Sequence, residues 1–308
     1  MAKGDDVVML ARHALEGNRD MVITTCRCIV ENEPSNSSLK QRMQKLLLRV
    51  PVFKLLQGNV PENLKGLVIP TEPEMGLDEV ELPTSVLSEL RSFFDEQRFS
   101  EELHSHGLNV PHKILLSGPP GNGKTTLAGV VAKELELPFF VVDFSSVVSN
   151  LLGETGAKIA KLFRGVTERP CVLFLDEMET VLTERASSGN DVGEMKRIVS
   201  TLLLEIDRLP DHVILIGATN HEELLDRAVV RRFDFLWSLP RPTDDQVQEW
   251  LHRFARLYPD IPILKEMPPI AADGRSFSDI SREVKKWCRG WVVEHASSPR
   301  PQVVTNQN

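Results

Sequence analysis

A chain of 308 residues with 41% hydrophobic side chains can bury the core of one large or two medium domains, an ordinary globular composition. Its net charge of -8 argues against a surface built for nonspecific contact with a phosphate backbone, although a local basic patch can hide in such an average. No stretch approaches the roughly 18 apolar residues of a membrane helix, and the start lacks a basic then apolar secretion signal. The expectation is a soluble, unsecreted protein with no membrane association and no nucleic-acid partner.

Residues 5 to 50 read as three short amphipathic helices. Val7, Leu10, Ala11, Ala14 and Leu15 fall at helical spacing before a stop at Gly17-Asn18. Val22, Cys26, Ile29 and Val30 repeat the pattern up to Pro34, and Leu39, Met43, Leu46 and Leu47 carry it after Ser37 or Ser38. Each stripe is narrow, so the helices are expected to form a small bundle or to dock on a neighbour. Between Val50 and Pro83 the pattern dissolves among prolines and glycines and reads as a linker.

Strand-like runs follow at Lys113 to Ser117, Phe139 to Phe144, Cys171 to Leu175, Val213 to Gly217 and Phe235 to Leu239. Helical patterns such as Leu127 to Leu135 and Met195 to Leu204 lie between most of them. Nearly continuous apolar strands alternating with helices imply a parallel sheet covered on both faces. From Thr243 onward the pattern is helical, with Val247, Trp250, Leu251 and Phe254 on one face and a second helix around Ile280 to Val292. Residues 297–308 are polar, proline-containing and expected to be disordered. Of the four cysteines, Cys26 and Cys28 point to different faces of their helix and Cys171 sits in an apolar run. No paired CxxC spacing suits zinc, and a reduced, cytoplasmic setting fits best.

Gly118-Pro119-Pro120-Gly121-Asn122-Gly123-Lys124-Thr125 fits the pattern GxxxxGK[ST] between a strand-like and a helix-like run. Glycines let backbone N–H groups curl round phosphates, and the helix that begins there, with Thr126 in its first turn, adds the positive end of its dipole. Lys124 is placed to reach the β and γ phosphates of ATP, and the Thr125 hydroxyl to bind Mg2+. The apolar run Val172 to Leu175 ends in Asp176 and Glu177. At a strand's C-terminal end Asp176 can hold Mg2+ and Glu177 can orient and polarise an attacking water. In isolation such a pair is commonly a helix N-terminus. The order of the two motifs favours function.

Together with GATN at Gly217 to Asn220 and LLDRAVVRRFD at Leu224 to Asp234, these motifs resemble the AAA+ ATPases over approximately Leu77 to Val292. The resemblance implies an α/β fold: a P-loop NTPase parallel sheet at 77–240 and a helical lid at 241–296. A small N-terminal helical bundle at 1–50 and a linker at 51–76 would precede them. It further implies that Asn220 is the sensor that helps position the water or report the γ phosphate. Arg231 and Arg232 align with arginine fingers of the Arg-Arg-Phe kind that complete the neighbouring subunit's site, hence a homo-oligomeric ring, usually a hexamer in the family.

Ser149 to Thr155 resembles the first pore loop of protein-remodelling members, with Leu151 in place of the aromatic residue; a buried leucine pair is the plain alternative. Gly274 to Ile280 resembles the start of the lid's second helix, where Arg275 and Arg282 are candidate nucleotide contacts. The leading expectation is an ATP hydrolase that remodels or regulates a protein partner recruited by residues 1–50. The alternative is an ATP-controlled assembly switch or scaffold for an effector or protease. A DNA-acting loader lacks a basic surface here, and a small-molecule kinase leaves Asn220 and the Arg231-Arg232 pair without a purpose.

Overall fold

The computed structural model describes residues 8–12, 25–26, 29–30, 60–142, 147, 154–179 and 191–296. The packing of the N-terminal bundle, the pore-loop residues up to Gly153 and the tail at 297–308 lie outside them, although the described positions before residue 31 are helical. No helix among the described residues is long and apolar enough to cross a membrane.

Six strands form one sheet in the order β1-β3-β4-β5-β2-β6. They are β1 (Val68–Pro70), β2 (Lys113–Ser117), β3 (Phe139–Val142), β4 (Cys171–Leu175), β5 (Val213–Thr219) and β6 (Phe235–Ser238). All pairings are parallel except that of β1 with β3. The helices of the large domain are α1 (Thr84–Arg98), α2 (Ser100–Ser105), α3 (Lys124–Glu134), α4 (Glu154–Val166), α5 (Asp191–Arg208) and α6 (Arg227–Val230). Those of the lid are α7 (Asp244–Leu257), α8 (Ile263–Glu266) and α9 (Phe277–Ala296).

The continuous apolar runs arise because both sheet faces are covered and successive side chains point to opposite faces. Leu115, Leu173, Leu175 and Leu215 pack with Ile159 and Phe163 of α4 and Leu202 and Ile206 of α5. Their neighbours Ile114, Leu116, Val172, Phe174, Ile214 and Ile216 pack with Leu90 and Phe93 of α1 and Leu127 and Val131 of α3. The lid has a core of its own, in which Val247, Leu251 and Phe254 of α7 meet Ile280, Val284 and Cys288 of α9.

The linker expected at 51–76 needs correction over its described part. Leu64, Leu67 and Val68 are buried in the large domain's core, and Val68–Pro70 pairs with β3 as an edge strand. The Asn63 amide also donates to the Glu168 carboxylate at 2.9 Å. A proline is tolerated here because an edge strand needs hydrogen bonds on one side only.

Gly217 of β5 shows how tightly the sheet and the acidic loop after β4 are fitted. A Cβ built there would lie 2.3 Å from the Met178 sulfur and 3.1 Å from Phe233. Gly217→Ala is therefore expected to cost about 1–3 kcal/mol of stability through overpacking. Chemical denaturation would check this, and an unchanged midpoint would show that the loop yields freely.

Candidate functional site

In strands β4, β5 and β2, which are adjacent and parallel, Leu175 pairs with Gly217 and Ser117 with Thr219. The residues that follow these strands therefore emerge side by side at one sheet edge, where parallel sheets gather ligands. They are Asp176 and Glu177 after β4, Asn220 after β5, and the loop of Gly118, Pro119, Pro120, Gly121, Asn122 and Gly123 after β2.

The loop wraps the N-terminus of α3, whose first helical residue is Lys124. Four N–H groups at a helix start lack intrahelical partners, and the aligned peptide dipoles make that end attractive to anions. Gly121 has a φ of 79°, and a Cβ there would stand 2.8 Å from the Ser276 hydroxyl of the lid. Its carbonyl accepts a hydrogen bond from the Ser278 N–H at 3.0 Å, so the loop also forms part of the seam between the domains.

Lys124 is buried, and its ammonium donates to the carbonyls of Gly118 at 2.6 Å and Pro119 at 3.1 Å and to the Asn220 Oδ1 at 2.8 Å. Burial holds its pKa below the ordinary lysine value, while the nearby Asp176 and Glu179 carboxylates oppose that shift. The Thr125 hydroxyl donates to the Asp176 Oδ2 at 3.3 Å, and the Glu177 N–H donates to the other Asp176 oxygen at 2.9 Å. Glu177 holds a φ of 50°, a conformation that non-glycine residues rarely take outside constrained turns and functional sites. The Met178 N–H then closes the turn onto the Ala218 carbonyl at 2.9 Å.

Sequence reasoning missed Glu179. Its Oε1 accepts from both the backbone N–H and the side-chain amide of Asn220, each at 3.2 Å. With Oδ1 turned to Lys124, Asn220 thus bridges a lysine and a carboxylate across two strands. The signal in the sequence was the third acid of Asp176-Glu177-Met178-Glu179, three residues after the first.

A cleft of about 710 Å³ runs from this cluster to the lid. It is lined by Pro120 to Thr126, Asp176, Glu177 and Asn220, by Val80 and Leu82 of the segment before α1, and by Trp250, Phe277 and Ser278 of the lid. Free N–H groups and a lysine at one end suit a polyphosphate, and the hydroxyl and carboxylate of Thr125 and Asp176 are hard oxygen donors of the kind Mg2+ takes. The apolar and aromatic lining of Val80, Leu82, Trp250 and Phe277 suits a flat ring.

Arg231 and Arg232 are not brought to this cleft. Arg232 donates to the Asp207 carboxylate at 3.1 Å and to the Ala228 carbonyl at 2.5 Å, whereas the exposed Arg231 side chain has no ion pair with another described residue. Arg282 lines the cleft, but Arg275 turns to Glu283 and the Ala271 carbonyl.

Comparison with known proteins agrees with this geometry. Residues 114–241 match the family described as "ATPase family associated with various cellular activities (AAA)". An uncharacterized AAA family ATPase, y4kL of Sinorhizobium fredii (strain NBRC 101917 / NGR234), is 35% identical over 237 residues, which cover 76% of this chain and 70% of the relative. The peroxisomal ATPase PEX6 of Komagataella pastoris is 35% identical over 206 residues, 62% of this chain and 18% of that protein. The PEX6 of Saccharomyces cerevisiae is 37% identical over 185 residues, 58% of this chain and again 18% of its own length. This chain therefore matches only a minor part of the PEX6 proteins but most of the bacterial relative. By its phosphate-loop sheet, its lid and this similarity, the chain belongs to the AAA+ family of ATPases.

Proposed function

We propose that this protein hydrolyses ATP with Mg2+ in an oligomeric ring, for which a hexamer is the expected size, and uses the turnover to remodel or regulate a protein partner. The reading rests chiefly on one observation: Lys124, Thr125, Asp176, Glu177 and Asn220 converge to line one cleft, from three adjacent strand ends. Gly121, Asn122 and Gly123 would present backbone N–H groups to the phosphates, and Lys124 would exchange its carbonyl partners for phosphate oxygens. Thr125 and Asp176 would hold Mg2+, which when bound draws negative charge from the phosphate oxygens. Glu177 would accept the proton of the attacking water, and Asn220 would orient that water while Glu179 fixes its amide.

The protein-partner part of the proposal draws on residues 1–50 as a separate amphipathic module and on the similarity to proteins named peroxisomal ATPases. The cysteine pattern favours the cytoplasm as the setting. The purified chain is expected to release phosphate from ATP only when Mg2+ is present. Lys124→Ala removes a charge-assisted contact of about 1.5–3 kcal/mol and should raise the Kd for ATP by about 10- to 150-fold. Titration with a fluorescent ATP analogue would measure it, and equal affinity in both proteins would refute the phosphate-site assignment.

A further inference from the structure

Two sets of hydrogen bonds tie the lid to the large domain. The inner anchor, at the phosphate loop, is the Ser278 N–H of α9, which donates to the Gly121 carbonyl at 3.0 Å. The outer anchor is Arg253 of α7, which reaches the segment Asp78 to Glu81; that segment contributes Val80 and Glu81 to the cleft lining. One guanidinium nitrogen donates to the carbonyls of Asp78 at 2.9 Å and Val80 at 3.0 Å, and a second donates to the Glu81 carboxylate. Glu81 is nearly buried, with a side chain 10% exposed. Glu249, one turn before Arg253, lies close enough to act on the Glu81 carboxyl. Burial raises that carboxyl's pKa above its ordinary value and Glu249 adds to the rise, while Arg253 opposes it.

The segment gripped in this way has no sheet to hold it. Around the short turn Leu77–Glu79 it is also held by the Val80 N–H to the Leu77 carbonyl at 3.5 Å, the Glu79 N–H to the Gly76 carbonyl at 3.1 Å, the Gly76 N–H to the Glu79 carboxylate at 2.6 Å, the Leu77 N–H to Glu134 at 3.0 Å and the Lys133–Glu79 ion pair at 3.6 Å, while Leu77 and Val80 pack against the large domain's core. Arg253 thus supplies the donors for two carbonyls of the segment. Trp250 stands three residues earlier on the same helix, and residues three apart share a helix face. Trp250 lines the cleft, so one helix face both contributes to the cleft lining and grips the segment that supplies Val80 and Glu81 to it.

We infer that Arg253 is a positioning residue for the nucleobase of the bound nucleotide: it holds the Asp78 to Glu81 segment against the lid, and so fixes Val80 relative to Trp250 where both line the cleft. The inference rests on the proposed nucleotide site. Because the lid carries its own core, it moves as a body, and two anchors define its angle where one would leave it free to pivot. Loss of the outer anchor should then weaken base recognition and leave the chemistry at the phosphate loop in place.

The test compares the full-length chain with Arg253→Ala and Arg253→Lys, using ATP turnover together with competition binding of ADP and of inorganic tripolyphosphate, which has no base. Arg253→Ala is expected to raise the KM for ATP and the Kd for ADP about tenfold, the usual scale for a lost charged hydrogen-bond set. The kcat should stay within about twofold and tripolyphosphate affinity should not change, since the inner anchor and loop are intact. Arg253→Lys should recover only part of the loss, because a single ammonium cannot reproduce the planar fork. Equal weakening of ADP and tripolyphosphate, or a fall in kcat with KM unchanged, would overturn the inference. Should the unsubstituted chain bind tripolyphosphate and ADP equally well, base recognition itself would be refuted; should it bind neither, the nucleotide site would fall as well.

Discussion

Glu177→Gln should leave ATP binding intact and slow turnover by about 10²- to 10⁴-fold, the usual contribution of a positioned general base. The two side chains have nearly the same shape, but the amide cannot take a proton from water. Three features of this chain make the substitution a clean probe. Glu177 is exposed at the cleft, so the change from carboxylate to amide leaves the buried core untouched. Its backbone N–H, not its side chain, makes the 2.9 Å bond that braces Asp176. Its φ of 50° costs a glutamine about as much as a glutamate, so the turn should survive. Single-turnover kinetics beside equilibrium binding would separate the two effects. A variant that binds ATP normally and hydrolyses it at the original rate would remove Glu177 from the reaction.

The parts of this site that could be read in the sequence are those whose local chemistry is self-sufficient. The loop from Gly118 to Thr125 needs particular residue types at fixed spacing, and the strands before it and before Asp176 are apolar throughout because both sheet faces are buried. Such strands show their burial in their composition. Strand β1 did not, because three residues ending in a proline carry no periodicity and gain their order from pairing with β3. Helix α1 shows its burial only in the spacing of Val86, Leu90 and Phe93 among polar residues. The contacts of Glu179 and Arg253 depend on residues 41 and 172 to 175 positions away, and a pairing across that distance leaves no local trace. Arg231 and Arg232 are identical in sequence terms; only their surroundings divide them.

That division sets the largest expected effect. Arg231→Ala should lower ATP turnover by about 10³- to 10⁵-fold, the range for a finger that offsets charge on a transferring phosphoryl group. Arg232→Ala should cost less turnover and more stability, since Arg232 is already bonded to Asp207 and to the Ala228 carbonyl in its own chain. Neither arginine lines the cleft of its own subunit, so a role in hydrolysis requires a neighbour. Mixing gives a sharper test than either variant alone. In a head-to-tail ring each site joins Glu177 of one protomer to Arg231 of the next. Rings assembled from equal parts of Glu177→Gln and Arg231→Ala chains would therefore contain about a quarter of sites with both groups intact. Two inactive preparations should then regain activity on mixing, in proportion to that fraction. If each variant is inactive alone and the mixture stays inactive under conditions where the chains exchange, the site is not shared between subunits, and Arg231 acts elsewhere.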